Sequence, residues 1–332
     1  MTPAVQIDEL SKRFTLRERP TGRMGWLRGL LHAPSRDVVA VDRISLTIMP
    51  GERVAFVGPN GAGKSTTIKM CSGILHPSEG DVRVAGLVPW RERKLLAYRI
   101  GTVFGQRSQL WQHLPASDTF DLLAAIYDVP PATYRARRAE LIDAFELGDE
   151  LARPVRQLSL GQRMRCEIVA SLLHAPDVLF LDEPTIGLDV CARATIRDLV
   201  RAQAEQDGRT VLLTSHDTGD MERVCERVVV IHGGRILLDQ TIDALRRGWI
   251  RRKRVTLHTA ESRAELHMPG VRELASGAHR LELEVDLDIV PVDAVVQAAL
   301  KSTRIVDLTV EDPGMDEVVQ AIYARAELDT AS

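Results

Sequence analysis

A glycine-rich stretch at residues 58–66, Gly-Pro-Asn-Gly-Ala-Gly-Lys-Ser-Thr, constrains this chain more than any other segment. The apolar run 53–57 enters it and predicts a buried strand, and a helical pattern begins near Gly63. The spacing is that of a P-loop: glycine, four residues, then Gly63-Lys64-Ser65. Because glycines leave the backbone N–H groups open, these groups can converge on an anion at the helix N-terminus. Lys64 adds a point charge and Ser65 can ligate Mg²⁺, so we predict phosphate binding rather than an inert glycine turn.

Length, charge and cysteine content limit what else the chain can be. Its 332 residues suggest about two domains, and the formal net charge of -3 gives no support to a nucleic-acid partner. The four cysteines lie far apart and form no C-x-x-C pair, which predicts reduced thiols in a cytosolic protein. The N-terminus has no signal pattern, and no apolar run approaches the roughly 18 residues of a membrane span. We therefore expect any membrane role to act through a partner or a surface contact.

The order of periodic segments predicts an α/β chain. Apolar strand patterns alternate with helical ones, which favours a mainly parallel sheet with both faces covered. A helical block at about 107–175 interrupts this pattern and predicts an inserted subdomain. We expect one domain over 1–248. The tail, 249–332, predicts a small α+β domain, because 281–287 alternates, 292–300 has helical periodicity, and Asp312-Pro313 can open a further helix.

Two basic segments leave alternatives open. Residues 17–36 are rich in arginine, glycine and proline and contain Trp26, which fits a solvated loop or a contact with a membrane surface or a partner. Residues 246–254 combine arginines with Trp249, which fits a domain linker or a site for nucleic acid or lipid headgroups. We favour the solvated loop because its glycine and proline content opposes a stable helix, and the linker because the rest of the chain is not basic.

Two adjacent carboxylates follow the apolar run 178–181. Asp182 can hold Mg²⁺, and Glu183, offset by one residue, can point at an attacking water as a general base. A surface acid pair at a strand end is the alternative. The P-loop upstream favours the catalytic interpretation.

Three further positions fit the same chemistry. Ser159 can cap a helix that begins at 160, and with Gly161 it makes a second anion site. One molecule cannot readily place two helix N-termini on opposite sides of one γ-phosphate, but a second copy arranged head to tail can. Gln106 follows the strand 100–104, and His216 lies at the tip of the strand 210–214. An ordinary capped helix, an inert loop glutamine and a structural histidine are the alternatives for these three positions.

The order of these motifs resembles the nucleotide-binding subunit of ATP-binding cassette (ABC) transporters. The resemblance covers residues 4 to about 248 and identifies the P-loop as Walker A, Gln106 as the Q-loop and 158–162 as the signature. It likewise identifies 178–182 as Walker B, 187–189 as the D-loop, and His216 as the H-loop. Residues 103–111 and the extra C-terminal domain are most similar to the drug- and antibiotic-exporter branch.

This resemblance implies an ATPase subunit that powers export through a separate integral-membrane permease, as a homodimer or a heterodimer with a paralogue, with ATP and Mg²⁺ as cofactors. It implies a cytoplasmic protein, peripheral on the inner face of the cell membrane. The implied catalytic residues are Glu183, His216 and Lys64, and the implied metal ligands are Ser65, Gln106 and Asp182. The implied nucleotide-binding residues are Phe14, Gly58, Pro59, Asn60, Gly61, Ala62, Gly63, Lys64, Ser65, Thr66, Gln106, Ser159, Gly161, Gln162 and Asp189.

Two residues depart from the family pattern, and two rival functions stay open. Leu160 stands where the signature usually has a glycine, and Phe14 stands where a tyrosine commonly stacks on adenine. The rivals are a soluble ABC ATPase acting on ribosomes or DNA and a regulatory nucleotide-binding module without turnover. The first usually has two cassettes or a long coiled-coil insertion, which this sequence lacks, and Glu183 and His216 oppose the second.

Overall fold

The computed structural model describes residues 2–17, 35–105, 107–249, 251–261 and 266–331. The chain divides into two compact units between Gln240 and Thr241. This division falls before the expected boundary at 248/249, and the assignment of functional domains stays a prediction. Most of the arginine-rich segment 17–36 lies outside the described residues. No helix within the described ranges combines the length and the apolar character that crossing a bilayer requires.

Nine strands and seven helices make up the described part of the first unit. The strands are β1 (Val5–Arg17), β2 (Ser35–Ile48), β3 (Arg53–Val57), β4 (Glu79–Val84), β5 (Ile100–Phe104), β6 (Val178–Asp182), β7 (Thr210–Ser215), β8 (Arg227–His232) and β9 (Arg235–Thr241). The helices are α1 (Lys64–Cys71), α2 (Arg93–Ala97), α3 (Ala116–Ile126), α4 (Pro131–Ala144), α5 (Leu160–Leu172), α6 (Val190–Asp207) and α7 (Thr218–Val224).

A six-stranded sheet with the order β5-β6-β7-β3-β8-β9 forms the centre of this unit. Its inner pairs, β5 with β6, β6 with β7, and β3 with β7 and β8, are all parallel. Every residue of β6 and β7 is buried, which is why both read as continuous apolar runs. Parallel strands end at one edge, so the ends of β3, β6 and β7 meet there. The predicted α/β architecture with a P-loop NTPase cassette is confirmed.

A second, antiparallel sheet with the order β2-β1-β4 packs into the same core. In β1 the alternating residues Val5 and Ile7 are buried together with Leu10. Farther along β1, Phe14 pairs with Val38 of β2.

The helical block lies between β5 and β6 and consists of α3, α4, two short 3₁₀ turns (Asp149–Ala152 and Val155–Gln157) and α5. Its apolar side chains Phe120, Leu141 and Phe145 are fully buried. Pro130-Pro131 is a sequence pattern that predicts a break in the helical block. Pro131 in fact begins α4, because the first turn of a helix needs no N–H donor there.

The second unit is an α+β fold built from α8 (Ile242–Trp249), β10 (Arg252–Thr259), β11 (Val271–Gly277), β12 (Arg280–Asp286), α9 (Val292–Ser302), β13 (Ile305–Glu311) and α10 (Met315–Ala331). Its antiparallel sheet has the order β11-β12-β10-β13. One sheet face, with Val255, Leu257 and Leu283, packs with Val295 of α9. The last helix begins at Met315, a little later than the predicted start at Asp312-Pro313.

The interpretation of residues 246–254 as a linker is wrong. Residues 246–249 form the end of α8 and 252–254 the start of β10, and all four cations of 251–254 are paired with acids, Arg251 lying 2.8 Å from Asp288. Arg252 lies 3.1 Å from Glu284, Lys253 lies 3.0 Å from Asp312, and Arg254 lies 3.1 Å from Glu317. Such exposed pairs add little stability, but they explain how a basic run can sit in a central strand.

Candidate functional site

The glycine-rich loop joins β3 to α1 and packs closely against the backbones of β2 and β8. Gly63 has φ of 109°, and a Cβ there would lie 2.5 Å from the Ala40 carbonyl oxygen of β2. A Cβ on Gly58 would lie 2.4 Å from the Ile231 carbonyl oxygen of β8. Any other residue would therefore push the loop away from the sheet, so these glycines fix where the loop amides point.

Lys64 is buried inside this loop. Its Nζ donates to the Gly58 carbonyl oxygen at 2.6 Å and to the Pro59 carbonyl oxygen at 3.2 Å. The same ammonium lies 3.2 Å from Oε1 of Glu183. The charge is thus held over the loop by two carbonyl oxygens and one carboxylate oxygen.

Asp182 and Ser65 meet at the end of β6. Oδ1 of Asp182 accepts hydrogen bonds from Ser65 Oγ at 2.8 Å and from Thr214 Oγ1 at 2.7 Å. A carboxylate and a hydroxyl side by side are hard oxygen donors of the kind that Mg²⁺ takes, so the pair fits that ion. Gln106, the third predicted ligand, lies outside the described residues.

Glu183 is held between two cationic or titratable groups. Its backbone has φ of 53°, and its N–H donates to Thr214 Oγ1 at 3.1 Å. Oε1 contacts Lys64, and Oε2 lies 2.7 Å from Nδ1 of the half-exposed His216. Both carboxylate oxygens are therefore placed by the chain before any ligand enters.

These side chains border a cavity of about 370 Å³. The cavity is lined by Asn60, Gly61, Ala62, Gly63, Lys64, Ser65, Thr66, Lys69, Ile74, Phe104, Arg107, Asp182, Glu183 and Ile186. Sequence reasoning missed five of them: Lys69, Ile74, Phe104, Arg107 and Ile186. Two signals were available, since Lys69 lies one helical turn beyond Ser65 and Arg107 directly follows Gln106.

Phe14 is not among the residues that line this cavity in the described part of the chain. Phe14 pairs with Val38 of β2. Two residues farther along β2, Ala40 lies beside Gly63 of the P-loop. The Phe14 ring is covered on one side by the Lys12 ammonium, 5.2 Å from the ring centroid. Its role as an adenine platform stays a prediction.

The signature segment forms a separate site at the start of α5. Ser159 is the N-cap: its Oγ accepts from the Gln162 N–H at 3.2 Å, and the Gln162 side chain accepts from the Ser159 N–H at 2.9 Å. This capping box satisfies two of the backbone donors that a helix N-terminus leaves free. A shallow pocket of about 220 Å³ borders Ser159, Gly161 and Gln162. Among the described residues, it shares none with the P-loop cavity.

The D-loop packs against the signature within the same chain. A Cβ on Gly187 would lie 3.2 Å from Cδ2 of Leu160, and a Cβ on Gly161 would lie 3.1 Å from Cβ of Ala192. The unusual leucine therefore turns toward the D-loop of its own chain. Asp189 caps α6, accepting from the Ala192 N–H at 2.9 Å. Its predicted contact with nucleotide stays a prediction.

The four cysteines are free, and three of them, Cys71, Cys166 and Cys225, are buried. Burial raises the pKa of Cys71 and Cys166 to about 12, so neither is a thiolate at neutral pH. They act as small apolar core residues.

A P-loop, a capped signature helix and a Walker B strand in this order along the chain define a cassette ATPase, and the comparisons agree. Residues 41–186 match the family described as ABC transporter. The chain is 38% identical over 242 residues to the daunorubicin/doxorubicin resistance ATP-binding protein DrrA of Streptomyces peucetius, covering 73% of each chain. The chain belongs to the ABC transporter ATP-binding family and is an ABC ATPase subunit.

Other relatives extend this similarity. The linearmycin resistance ATP-binding protein LnrL of Bacillus subtilis is 29% identical over 296 residues, covering 86% of this chain and 94% of that protein. A solved dimeric structure of a post-hydrolysis state of the cassette MJ0796, bound to ADP and Pi, matches with a TM-score of 0.60 and 26% identity, covering 72% of this chain and 98% of that one. The similarity to drug-resistance proteins agrees with the exporter branch predicted from the sequence.

Proposed function

We propose that this chain hydrolyses ATP to power export through a separate membrane permease. The observation that carries the proposal is the placement of Glu183 at the P-loop cavity, between Lys64 at 3.2 Å and His216 at 2.7 Å. A binding module without turnover has no need of a carboxylate so placed. The drug-resistance function of relatives such as DrrA supports export as the direction of transport.

In this proposal the loop amides and Lys64 bind the triphosphate. An arriving phosphate replaces the Gly58 and Pro59 carbonyl oxygens as the acceptor for Lys64 Nζ. Ser65 and Asp182 hold Mg²⁺, which supplies positive charge against the phosphate oxygens, and Gln106 is the expected third ligand. Phe14 stacks on the adenine.

Hydrolysis then requires a base. Once Lys64 moves to phosphate, Oε1 of Glu183 is free to accept a proton from water. The water oxygen bonds to the γ-phosphorus, the bond from that phosphorus to the bridging oxygen breaks, and ADP leaves with the electron pair. His216, held at Oε2, keeps the carboxylate oriented and stabilises charge on the γ-phosphate.

A second copy, or a paralogue, completes the site. The signature pocket has a capped helix start, and its lining residues include neither a P-loop residue nor the strand-end acids Asp182 and Glu183. It therefore suits the outer side of a nucleotide held by the opposite subunit, with Ser159, Gly161 and Gln162 near the γ-phosphate. The dimeric MJ0796 cassette supports such an arrangement.

The proposed permease contact is the segment after Gln106. Trp111 and Leu114 are large apolar side chains that are 46% and 42% exposed, and the Leu114 N–H donates to the Trp111 carbonyl oxygen at 3.1 Å, so the two lie in one turn. The segment is tied to the helical block, since the Leu114 carbonyl oxygen accepts from the Val155 N–H at 3.0 Å. A contact here would place the chain on the cytoplasmic face of the membrane.

The test is purification of the full chain from membranes, followed by assay of ATP hydrolysis with and without its permease. We expect a multi-span protein to copurify and to stimulate turnover. Trp111→Ala should abolish that stimulation and leave basal hydrolysis intact, whereas Leu95→Ala, at an exposed leucine of α2, should change neither. Cosedimentation with ribosomes or DNA instead of a membrane protein would overturn the proposal.

A further inference from the structure

A group of polar side chains lies next to the catalytic pair without entering the nucleotide cavity. We call it the Asp220 network, and it consists of Thr185, Arg193, Arg197, Ser215, Asp217 and Asp220. Its members come from the loop after β6, from α6, from the end of β7 and from α7. None of the motifs identified in the sequence explains it.

Asp220 is the centre of the network and is completely buried. Its Oδ2 accepts from Thr185 Oγ1 at 2.5 Å and from Ser215 Oγ at 2.6 Å. Its Oδ1 accepts from Arg197 Nε at 2.5 Å. A buried carboxylate is tolerated only when it is paired and hydrogen-bonded, and here three separate segments supply the partners.

Asp217 forms the second anchor, one residue beyond His216. Its Oδ2 lies 2.8 Å from both Arg193 Nη1 and Arg197 Nη2, and its N–H donates to Ser215 Oγ at 2.9 Å. Burial raises the pKa of Asp217, but the Gly219 N–H and the two arginines outweigh that effect and lower the pKa overall. Asp217 is therefore anionic and firmly held at neutral pH.

The network thus fixes the residues that flank both catalytic groups. Ser215 and Asp217 are the two neighbours of His216, and Thr185 follows Glu183 by two positions. We infer that Arg197 and Asp220 are positioning residues that fix the side chains of His216 and Glu183 relative to each other. This inference rests on the proposed role of Glu183 as the general base.

Gly219 shows that the close approach of Arg197 is built into the fold. A Cβ at position 219 would lie 2.8 Å from Nη1 and 3.0 Å from Nη2 of Arg197. An alanine at position 219 would therefore displace the end of the Arg197 side chain by a few tenths of an ångström. Since the D-loop residue Asp189 caps α6, the same arginine connects the helix that follows the D-loop to Asp217, the residue after His216.

The chain offers a matched control for a purely structural role. Arg223 of α7 and Asp198 of α6 form an exposed bidentate pair with distances of 2.7 and 2.9 Å. This pair also joins α6 to α7, but it touches no residue adjacent to Glu183 or His216. Replacing either arginine should therefore weaken the packing of α6 on α7. Only replacement of Arg197 should also misplace His216 and Glu183.

The experiment compares Arg197→Met, Arg197→Lys and Arg223→Met in the full chain. We expect Arg197→Met to lower kcat by about tenfold with KM for ATP within about twofold of wild type, because misplacement of a base acts on the transition state. Arg197→Lys should recover part of the loss, and Arg223→Met should have wild-type turnover. In a Glu183→Gln background, Arg197→Met should cause no further loss, since it acts through the missing base.

Gly219→Ala provides a second variant that keeps every charge, should Arg197→Met fail to fold. We expect both variants to shift the imidazole NMR signals of His216, and Arg223→Met to leave them unchanged. Unchanged His216 signals with additive losses in the Glu183→Gln background would overturn the inference. A wild-type chain without hydrolysis would refute the proposed function instead, while the His216 signals would still decide the positioning role.

Discussion

The P-loop cavity and the signature pocket are both built at the start of a helix, yet they differ in every other respect. The first, of about 370 Å³, is lined by residues of the P-loop and α1 and by residues at and after the ends of β5 and β6, around Lys64 and Glu183. The second is shallow, and its capping box satisfies much of its own hydrogen-bonding potential. We expect the first to bind nucleotide in an isolated chain and the second to contact nucleotide only in a dimer.

This difference separates the free energy of nucleotide binding by one chain from the free energy of association of two chains. Contacts at the cavity should appear in the affinity and chemistry of one chain. Contacts at the signature pocket should appear only when two chains meet. Variants in the P-loop cavity and in the signature pocket can therefore test whether the first acts within one chain and the second between two chains.

The largest effect is expected for Glu183→Gln. The amide keeps the shape of the side chain but cannot take a proton, so turnover should fall by about 10³-fold with nucleotide binding retained. The measurement is single-turnover hydrolysis together with ATP affinity. Glu226→Gln, at an exposed glutamate, is the control, and wild-type turnover in Glu183→Gln would remove the proposed base.

Lys64→Met should weaken ATP binding by about 100-fold, or roughly 2.7 kcal/mol, because the ammonium is the point charge of the cavity. Titration of the isolated chain with ATP checks this. Lys94→Met, on the exposed helix α2, should bind normally. An unchanged affinity in Lys64→Met would mean that the loop amides alone bind the phosphates.

Ser159→Ala should leave ATP affinity of the isolated chain unchanged but lower ATP-dependent dimerisation and turnover by about tenfold. It also removes an N-cap worth about 1 kcal/mol, so thermal unfolding must be followed in parallel. Ser159→Thr retains the cap and should restore activity. A loss of affinity in the isolated chain would show that the signature pocket acts within one subunit.

The smallest effect concerns the far end of the signature helix. His174 stacks on Tyr127 and bonds the Ile100 carbonyl oxygen at 3.0 Å, and burial lowers its pKa to about 4. The unfolded chain protonates this histidine below its ordinary pKa of 6.5. Stability is therefore lost as the pH falls, by about 1 kcal/mol between pH 7 and pH 5.5.

His174→Gln cannot titrate and should lack this part of the acid sensitivity. Urea unfolding at several pH values measures the effect, with His113→Gln, at an exposed histidine, as the control. If His174→Gln and wild type lose stability equally on acidification, the helix is anchored to β5 by other contacts.

Local sequence patterns were sufficient to predict the strands that consist of buried apolar residues. The strands 53–57 and 100–104 have the predicted bounds because their apolar residues end abruptly at glycine or polar residues. Helix α7 and strand β11 were missed. The first is a short polar segment fixed by Asp220, and β11 is almost wholly exposed and so carries little periodicity.

In the candidate site, too, the residues that form local sequence motifs were predictable and those brought together by tertiary packing were not. The spacing of the P-loop and the acid pair after β6 are local signals, and they predicted Lys64, Ser65, Asp182 and Glu183. The Asp220 network is not local: Arg197 and Asp220 are brought together only by the packing of α6 on α7. Likewise, the arginines of β10 resemble a linker until their acidic partners, distant in sequence, are known.

The contact between Leu160 and Gly187 has a consequence for engineering. Replacing this signature with one from a relative that has glycine at position 160 would leave an unfilled space above the D-loop. Conversely, a larger residue at position 187 would collide with the leucine and also strain the backbone, whose φ there is 75°. The two positions are a matched set, so chimeras that exchange one segment without the other should assemble poorly even when every phosphate-binding residue is present.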